Sequence, residues 1–331
     1  MKNKKSWAIV LMTIGCLSAL WPDILPVSAG AAPSSAVAVR LATFPHSAPG
    51  PWPVGIAQEK GFFLQEGLNV TITETNQQIA GLVGGHFDII VTSLEQGLLS
   101  TAKGEPVVIV GFMLTRPSQI FVVRPDVRTA KELSGKTIGV WKIPSGDMFL
   151  AEQLLTREGV DVNSVKFLQV GGSRDRLTAM IAGRIDAATF DIPQSLMARK
   201  QGMRWLNTQR YWEPMAWASI LVKDEWAKKN SHVVARLVRA SYRGIDWLNE
   251  PGHSEEATEI LTRLSQLDRS LVEEVIKVAR EGGDYVRERP TLALIKPYHE
   301  MLLKQGFLEK PLDLGKVLNT SYYDSGLKGA R

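Results

Sequence analysis

The chain contains one cysteine, Cys16, in 331 residues. Cys16 lies in an apolar stretch near the N-terminus, so the rest of the chain has no thiol. A disulfide scaffold, a cysteine nucleophile and a thiolate metal site are therefore excluded for that rest. Histidine is also scarce, because the five histidines are scattered and no two have metal-ligand spacing on one helix. We expect neither a metal nor a cofactor.

Several functional motifs are missing as well. The sequence has no Gly-x-Ser-x-Gly elbow and no phosphate-binding loop. The net charge is +5 and no basic stripe or arginine run is present, which argues against nucleic-acid binding. A hydrophobic fraction of 44% is that of an ordinary globular protein, and the length allows two α/β lobes.

Residues 1–29 have the parts of a secretory signal peptide. A lysine-rich start precedes the apolar run Trp7–Leu20, and small residues end in Val27-Ser28-Ala29. The run is shorter than the roughly 20 residues of a bilayer-spanning helix, so a transmembrane anchor is less favoured. A lipid anchor at Cys16 is also less favoured, because Thr13 is a poor lipobox residue. We expect a periplasmic or otherwise extracytoplasmic protein, secreted through a cleaved signal peptide.

Two segments of the chain match each other at a constant offset of 98 residues. Gly85 corresponds to Gly183 and Asp88 to Asp186. The further identities are Gln96 with Gln194, Leu98 with Leu196, and Gly104 with Gly202. Chance recurrence of common turn residues is the less favoured explanation. Each half is predicted to run β-α-β-α-β-α, which indicates an α/β fold with two parallel sheets covered on both faces.

Two apolar strands lie where the chain would pass between these halves. They are Gln119–Arg124 and Trp217–Lys223, and two such crossings would form a hinge. We therefore predict that residues 37–118 and 223–331 form lobe one. Residues 119–222 would form lobe two, including the hinge strands.

The C-terminal part is predicted to be mostly helical. Ser231–Asn249 has an apolar stripe at helical spacing. Capping boxes at Ser270 and Thr129 each predict the start of another helix. The helices after the second crossing are expected to pack on lobe one.

Ligands of open parallel sheets bind beyond the carboxyl ends of the strands. Helices that begin there offer amide groups and a positive dipole end, which favour an anionic group. The predicted ligand contacts are strand-end residues and two tryptophans: Thr43, Pro45, His46, Ser47, Trp52, Thr92, Ser93, Ser145, Gly146, Asp147, Ser173, Asp191 and Trp217. Each serine has the alternative role of an N-cap, and each tryptophan that of a core residue. The two aspartates could cap helices or accept hydrogen bonds from the ligand.

Four stretches occur in one order: Ala57–Val70, Gly85–Asp88, Leu133–Val140 and Ala182–Ala187. Together they resemble the periplasmic solute-binding proteins of the nitrate, sulfonate, taurine and thiamine-precursor class. The resemblance implies a type II periplasmic binding-protein fold, with two doubly wound α/β lobes, two hinge strands and a ligand cleft. It also implies an ABC permease and ATPase as partners. A fungal pyrimidine synthase of this class uses an iron-binding cysteine run, which has no counterpart here.

We therefore expect a monomeric, non-catalytic receptor for a small organic anion, such as a sulfonate or carboxylate. Two other classes remain as alternatives. The first is an enzyme on the same fold, a lyase or hydrolase, for which only His46 could supply acid–base chemistry in the cleft. The second is the effector domain of a transcription regulator, against which the signal peptide and the missing DNA-binding helices argue.

Overall fold

The computed structural model describes residues 36–327, except for residues 144, 207–211 and 213. The predicted signal peptide over residues 1–29 and the alternative lipid anchor at Cys16 lie outside this part of the chain. Within the described ranges, no helix is both long and apolar enough to cross a bilayer.

The strands of the described residues form two sheets. They are β1 (Val37–Thr43), β2 (Leu68–Glu74), β3 (Ile89–Ser93), β4 (Val107–Leu114), β5 (Gln119–Val123), β6 (Thr137–Val140), β7 (Lys166–Gln169), β8 (Ala187–Asp191), β9 (Arg204–Trp205) and β10 (Ala218–Lys223). The first sheet has the order β2-β1-β3-β10-β4 and the second has the order β7-β6-β8-β5-β9. The residues of β4 are all buried, as expected for a sheet covered on both faces.

Helices cover these sheets. They are α1 (Trp52–Glu59), α2 (Phe62–Gln65), α3 (Gln78–Val83), α4 (Leu94–Ala102), α5 (Gly146–Arg157), α6 (Ser173–Ile181), α7 (Ile192–Lys200), α8 (Asp224–Lys229), α9 (Ser231–Asn249), α10 (Ser254–Ser265), α11 (Arg269–Gly282), α12 (Leu292–Lys304), α13 (Leu314–Val317) and α14 (Ser321–Leu327). Helix α9 has the predicted bounds, and its apolar stripe is buried.

The two sheets repeat one arrangement, which accounts for the repeated sequence. Strands β1, β2 and β3 are parallel in the order β2-β1-β3, and β6, β7 and β8 are parallel in the order β7-β6-β8. In each sheet the next neighbour is antiparallel: β10 beside β3, and β5 beside β8. The predicted two-lobed α/β architecture is therefore confirmed.

The matched residues of the repeat make the same contacts. The Asp88 carboxylate accepts a hydrogen bond from the backbone N–H of Arg40 in β1, with a distance of 2.9 Å. The Asp186 carboxylate accepts one from the backbone N–H of Thr137 in β6, with a distance of 2.8 Å. Gly85 and Gly183 have φ values of 76° and 70°, which favour glycine. Both copies of the repeat thus have the same helix end and the same hydrogen bond between an aspartate and the first strand of its half.

One predicted lobe boundary, the one at the second crossing between the lobes, differs from the structure. Strand β10 pairs with β3 and β4 of the first sheet. Residues 218–222 therefore belong with the sheet of lobe one, although the sequence prediction placed them in lobe two. The cause is that the chain returns to the first sheet before β10 begins, so that strand completes lobe one.

The C-terminal helices also depart from the prediction. Helix α9 packs on α1 and α14 in lobe one, but α11 packs on α7 of lobe two. Arg199 of α7 and Glu274 of α11 form an ion pair at 3.7 Å across this contact. Helix α11 begins one residue before Ser270, with Asp268 as the N-cap. At Thr129 the predicted helix is a short 3-10 turn, Ala130–Leu133.

Gly244 of α9 lies against the backbone of α1. A Cβ atom at Gly244 would lie 2.0 Å from the carbonyl oxygen of Pro53. We expect Gly244→Ala to lower the free energy of unfolding by about 2–3 kcal/mol, because the overpacking outweighs the roughly 1 kcal/mol gained in helix propensity. Urea denaturation measures this change.

Gly252 provides the matched control. No atom would lie within 4 Å of a Cβ at Gly252. Gly252→Ala is expected to change the free energy of unfolding by no more than about 0.5 kcal/mol. Equal stabilities of the two variants would contradict the close approach of α9 and α1.

Candidate functional site

A cavity of about 350 Å³ lies between the two lobes. We call it the interlobe cavity. Its walls come from the starts of α4, α5 and α6, from residues beside β5, β6 and β10, and from α12: Ser93, Glu95, Gln96, Gln119, Trp141, Gly146, Asp147, Gly172, Ser173, Arg176, Trp217 and Tyr298. Its volume is at the lower end of the range of about 300–1,000 Å³ for small-molecule sites.

Three helices direct their N-terminal ends toward this cavity. Ser93 caps α4, because its Oγ accepts a hydrogen bond from the N–H of Gln96 at 3.3 Å. Ser145 caps α5 in the same way, with a distance of 3.4 Å to the N–H of Met148. Helix α6 begins after Gly172, so the predicted cap Ser173 is its first residue instead. First-turn amides lack partners within their own helix, so such ends attract anions.

Arg176 supplies a buried positive charge to the interlobe cavity. Its side chain is only 4% exposed. Nη1 lies 3.0 Å from the Asp147 carboxylate and donates to the carbonyl oxygen of Gly171 at 2.7 Å. Nη2 donates to Ser173 Oγ at 3.1 Å. The buried Nε has no hydrogen-bond partner and Nη2 has a second N–H besides the one bonded to Ser173, so two donors remain available.

Nearby acidic groups offset the positive charge of Arg176. Burial lowers the pKa of Arg176, whereas the charges of Asp147, Asp191 and Asp175 oppose that shift. Burial raises the pKa of Asp191, and the Arg176 charge opposes the rise. Asp191 Oδ1 is buried without a hydrogen-bond partner. The guanidinium is thus held in place by one close carboxylate and supported by two others.

Glu95 is a second charged group at the cavity. It is 7% exposed, although it belongs to the first turn of α4. Oε2 accepts a hydrogen bond from the hydroxyl of Tyr298 at 3.3 Å, and Oε1 lies 3.7 Å from Nζ of Lys142. Oε1 is buried and has no hydrogen-bond partner. Glu95 therefore lines the cavity and has a carboxylate oxygen with unused acceptor capacity.

Aromatic side chains complete the walls. The rings of Trp217 and Tyr298 lie 5.5 Å apart at 53°. The Tyr298 hydroxyl also limits the space at Gly146, where a Cβ atom would lie 2.5 Å away. Trp141 is 46% exposed and stands beside Lys142, whose Nζ lies 4.5 Å from the centre of the indole ring. Flat apolar surfaces and a few polar groups are typical of organic-ligand sites.

The structure brings five of the predicted contact residues together around the interlobe cavity: Ser93, Gly146, Asp147, Ser173 and Trp217. Their contact with a ligand stays a prediction. Thr92 and Ser145 do not line the cavity, because Thr92 lies in the buried strand β3 and the buried Ser145 side chain caps α5. Asp191 lies behind the wall, where its charge acts on Arg176.

The predicted contacts at the end of β1 and just after it do not line the interlobe cavity: Thr43, Pro45, His46, Ser47 and Trp52. Trp52 is fully buried, and its Nε1 donates to the carbonyl oxygen of His46 at 2.8 Å. The buried His46 ring instead bonds through Nδ1 to the Glu74 carboxylate. This loop is therefore folded onto lobe one, and His46 is not positioned for chemistry in the interlobe cavity.

Sequence reasoning missed Arg176, Glu95 and Tyr298 as cavity residues. Arg176 follows Ser173 by one helical turn, and helical side chains lean toward the N-terminus, so a signal for it existed. Tyr298 comes from a C-terminal helix and has no local signal. Among the described residues, no group of three or more His, Cys, Asp or Glu side chains could hold a metal ion.

Comparisons with known proteins agree with this architecture. Residues 50–254 match the family described as NMT1/THI5 like. YtlA of Bacillus subtilis, named as a binding protein, is 22% identical over 281 residues, which cover 81% of this chain and 83% of YtlA.

Two solved structures share the fold. The alkanesulfonate-binding protein SsuA from Xanthomonas axonopodis pv. citri, bound to MOPS, has 17% identity and a TM-score of 0.66, covering 87% of this chain and all of that one. The periplasmic nitrate-binding protein NrtA from Synechocystis PCC 6803 has 15% identity and a TM-score of 0.72, covering 88% and 89%. The predicted periplasmic binding-protein fold is confirmed, and the family match over more than half of the chain shows that the protein belongs to the NMT1/THI5-like family.

Proposed function

We propose that the protein is the extracytoplasmic solute-binding component of an ABC importer. It binds a small organic anion in the interlobe cavity and delivers it to a membrane permease and its ATPase. The observation that carries this proposal is one cavity that joins helix N-termini of both lobes to the buried Arg176. The protein works as a monomer without catalysis, and residues 1–29 direct its secretion.

Binding is coupled to a change in the distance between the lobes. The chain crosses between the lobes twice, from β4 to β5 and from β9 to β10. A ligand that contacts α4 on one side and α5 and α6 on the other binds the closed form better than the open form. Its differential affinity shifts the population toward the closed form, which the permease recognises.

The anionic group of the ligand binds beside Arg176 and the first-turn amides of α6. Asp147 holds the guanidinium in place through Nη1, so the unpartnered Nε and the second N–H of Nη2 are the arginine donors left for the ligand. A hydrogen bond between an ionised donor and an anion is about twice as strong as one between neutral groups. The aromatic side chains Trp217 and Tyr298 contact the apolar part of the ligand.

Glu95 makes the site selective for an anion that also carries a hydrogen-bond donor. Its Oε1 is buried with unused acceptor capacity, and a buried charged acceptor without a hydrogen bond is destabilising. An amine or N–H group of the ligand would supply this bond. The preferred ligand is therefore an amino-substituted sulfonate or carboxylate rather than a plain one.

Matched ligand pairs test the proposal. Thermal shift of residues 30–331 is measured with ethanesulfonate and taurine, and with propanoate and β-alanine. A ligand present at 100 times its Kd should stabilise the protein by about 2.7 kcal/mol. We expect the amino-substituted member of a pair to bind more tightly, and Glu95→Gln to weaken its binding by about tenfold or more, because a charge-assisted hydrogen bond contributes about 1.5–3 kcal/mol.

The control is Glu225→Gln on the exposed start of α8, which should leave both affinities unchanged. The proposal that the protein binds an organic anion fails if the well-folded protein binds none of these four compounds. The role of Glu95 fails separately if both members bind equally and the Glu95→Gln variant behaves as wild type.

A further inference from the structure

A second and larger cavity adjoins the interlobe cavity. It has a volume of about 990 Å³ and lies along α3 and α4 of lobe one, opposite Trp141 and Lys142 of lobe two. We call it the side groove. Its first wall follows directly from the end of β2, so it lies at a strand end, where ligands of such sheets bind.

The side groove and the interlobe cavity share two wall residues. Gln96 from lobe one and Trp141 from lobe two line both. Trp141 is fixed beside the site, because its backbone N–H donates to the Asp147 carboxylate at 2.8 Å. The next residue, Lys142, lies 3.7 Å from the Glu95 carboxylate across the lobes. A ligand bound at Arg176 and Glu95 therefore lies beside the residues that the two cavities share.

The lining of the side groove combines amide and aliphatic groups with three charged side chains, Lys103, Glu105 and Lys142. Asn76, Gln77 and Gln96 contribute primary amides, each able to donate and accept hydrogen bonds. Ile79 and Leu99 contribute aliphatic surface. This combination suits a chain that alternates amide or hydroxyl groups with methylene groups. A compact inorganic anion or a short alkanesulfonate could pair with single amide or lysine groups, but it lacks the length to contact the amide and the aliphatic surface together.

The volumes of the two cavities also favour an elongated ligand. The interlobe cavity holds about 350 Å³, whereas the side groove holds about 990 Å³. A compact anion fits within the first and leaves the second empty. Ligand sites commonly enclose most of their ligand, so a groove of this size that opens from the site is suited to further ligand atoms.

We propose that the side groove is a second subsite, which binds the body of an elongated organic anion whose head group lies at Arg176. This inference rests on the proposed function and names its substrate class. That class is sulfonates or carboxylates extended from their nitrogen by an amide-linked chain. Gln96 and Trp141 contact the linkage, and α3 contacts the chain.

Calorimetric titration of matched probes tests this subsite. The short probes are N-acetyltaurine and N-acetyl-β-alanine, and the long probes are N-hexanoyltaurine and N-hexanoyl-β-alanine, so both members of a pair have the same anionic group and the same amide N–H. Each long probe retains the head group and an N–H donor for Glu95. We expect a long probe to bind about tenfold or more tightly than its short partner, because its buried methylene groups each contribute roughly 0.8 kcal/mol.

Two variants locate the effect. Ala80 is exposed on α3 and lines the side groove, so Ala80→Trp fills the groove without disturbing the core. We expect it to remove the advantage of the long probes and leave the short probes unchanged. Ala102→Trp, on an exposed part of α4 outside the groove, is the matched control. Gln77→Leu removes one amide without filling the groove and should weaken only the long probes.

The outcomes separate the two proposals. The subsite is overturned if the short probes bind as tightly as the long ones and if Ala80→Trp and Ala102→Trp have equal affinities for the probes. That result leaves the proposed anion receptor intact. Failure of all four probes to bind folded protein contradicts the proposed function and the subsite together. The subsite is supported if the long probes bind more tightly than the short ones, if Ala80→Trp abolishes this difference, and if Ala102→Trp preserves it.

Discussion

Arg176→Met is expected to lower the free energy of unfolding by about 3–5 kcal/mol at neutral pH, because removing one partner of a buried ion pair leaves an uncompensated charge. Methionine keeps much of the side-chain volume, so the loss is mainly electrostatic. Asp147 would lose the cation at 3.0 Å, and Asp191 would lose the charge that opposes the rise of its pKa. Urea denaturation of wild type and variant measures the change.

Two further variants identify the cause. Arg174→Met, on the exposed face of the same helix, should change the free energy of unfolding by no more than about 0.5 kcal/mol. Adding Asp147→Asn to Arg176→Met removes the stranded carboxylate and should restore about 1–3 kcal/mol. Equal stabilities of the Arg174 and Arg176 variants would show that the buried ion pair contributes nothing.

The repeat explains why the fold was accessible from the sequence. Gly85 and Gly183 mark helix ends with positive φ, and Asp88 and Asp186 each anchor the first strand of their half. These contacts are local to one half, so equal spacing implies equal structure. The position of α11 was not accessible, because an apolar helical face does not say which lobe it meets.

The residues of the candidate site were predictable only in part, because local sequence patterns do not show which remote segments meet. Ser93, Gly146 and Ser173 line the interlobe cavity because strand ends and helix starts are local features. The loop after β1 has the same local pattern, yet it folds onto lobe one through Trp52 and His46. That difference depends on contacts with remote segments.

Charged wall residues were the hardest to predict. Glu95 is an acid in the first turn of a helix, which usually indicates only an interaction with the helix dipole. Its burial depends on Tyr298, which is remote in sequence and lies in α12. A function that depends on how two lobes meet therefore needs the tertiary structure.

Asp284 lies beside the first crossing between the lobes and is a buried acid. It is 6% exposed, and its Oδ2 has no hydrogen-bond partner. Together with Arg116 and Ser118 of the crossing, it lines a small cavity. Burial raises the pKa of Asp284 to about 8, and the charge of Arg116 opposes this rise only partly. Protonated Asp284 is thus the form that the native state favours.

Asp284 should make the protein less stable as the pH rises. Its native pKa of about 8 lies above the value of about 3.9 in an unfolded chain, so the native state retains a proton that the unfolded state releases. The contribution of Asp284 is fully present below about pH 4 and is lost progressively as the pH rises to about 8. Above that pH, the loss is on the order of 5 kcal/mol.

Asp284→Asn cannot ionise, so its stability relative to wild type should rise with pH. We expect a gain on the order of 5 kcal/mol in the free energy of unfolding at about pH 9, and a gain near zero at about pH 4. Urea denaturation over this pH range measures the difference. Glu281→Gln, at an exposed position near the end of α11 and three residues before Asp284, should show no such trend. A pH-independent difference between Asp284→Asn and wild type would mean that Asp284 is already ionised in the native protein, stabilised by Arg116 beside the crossing.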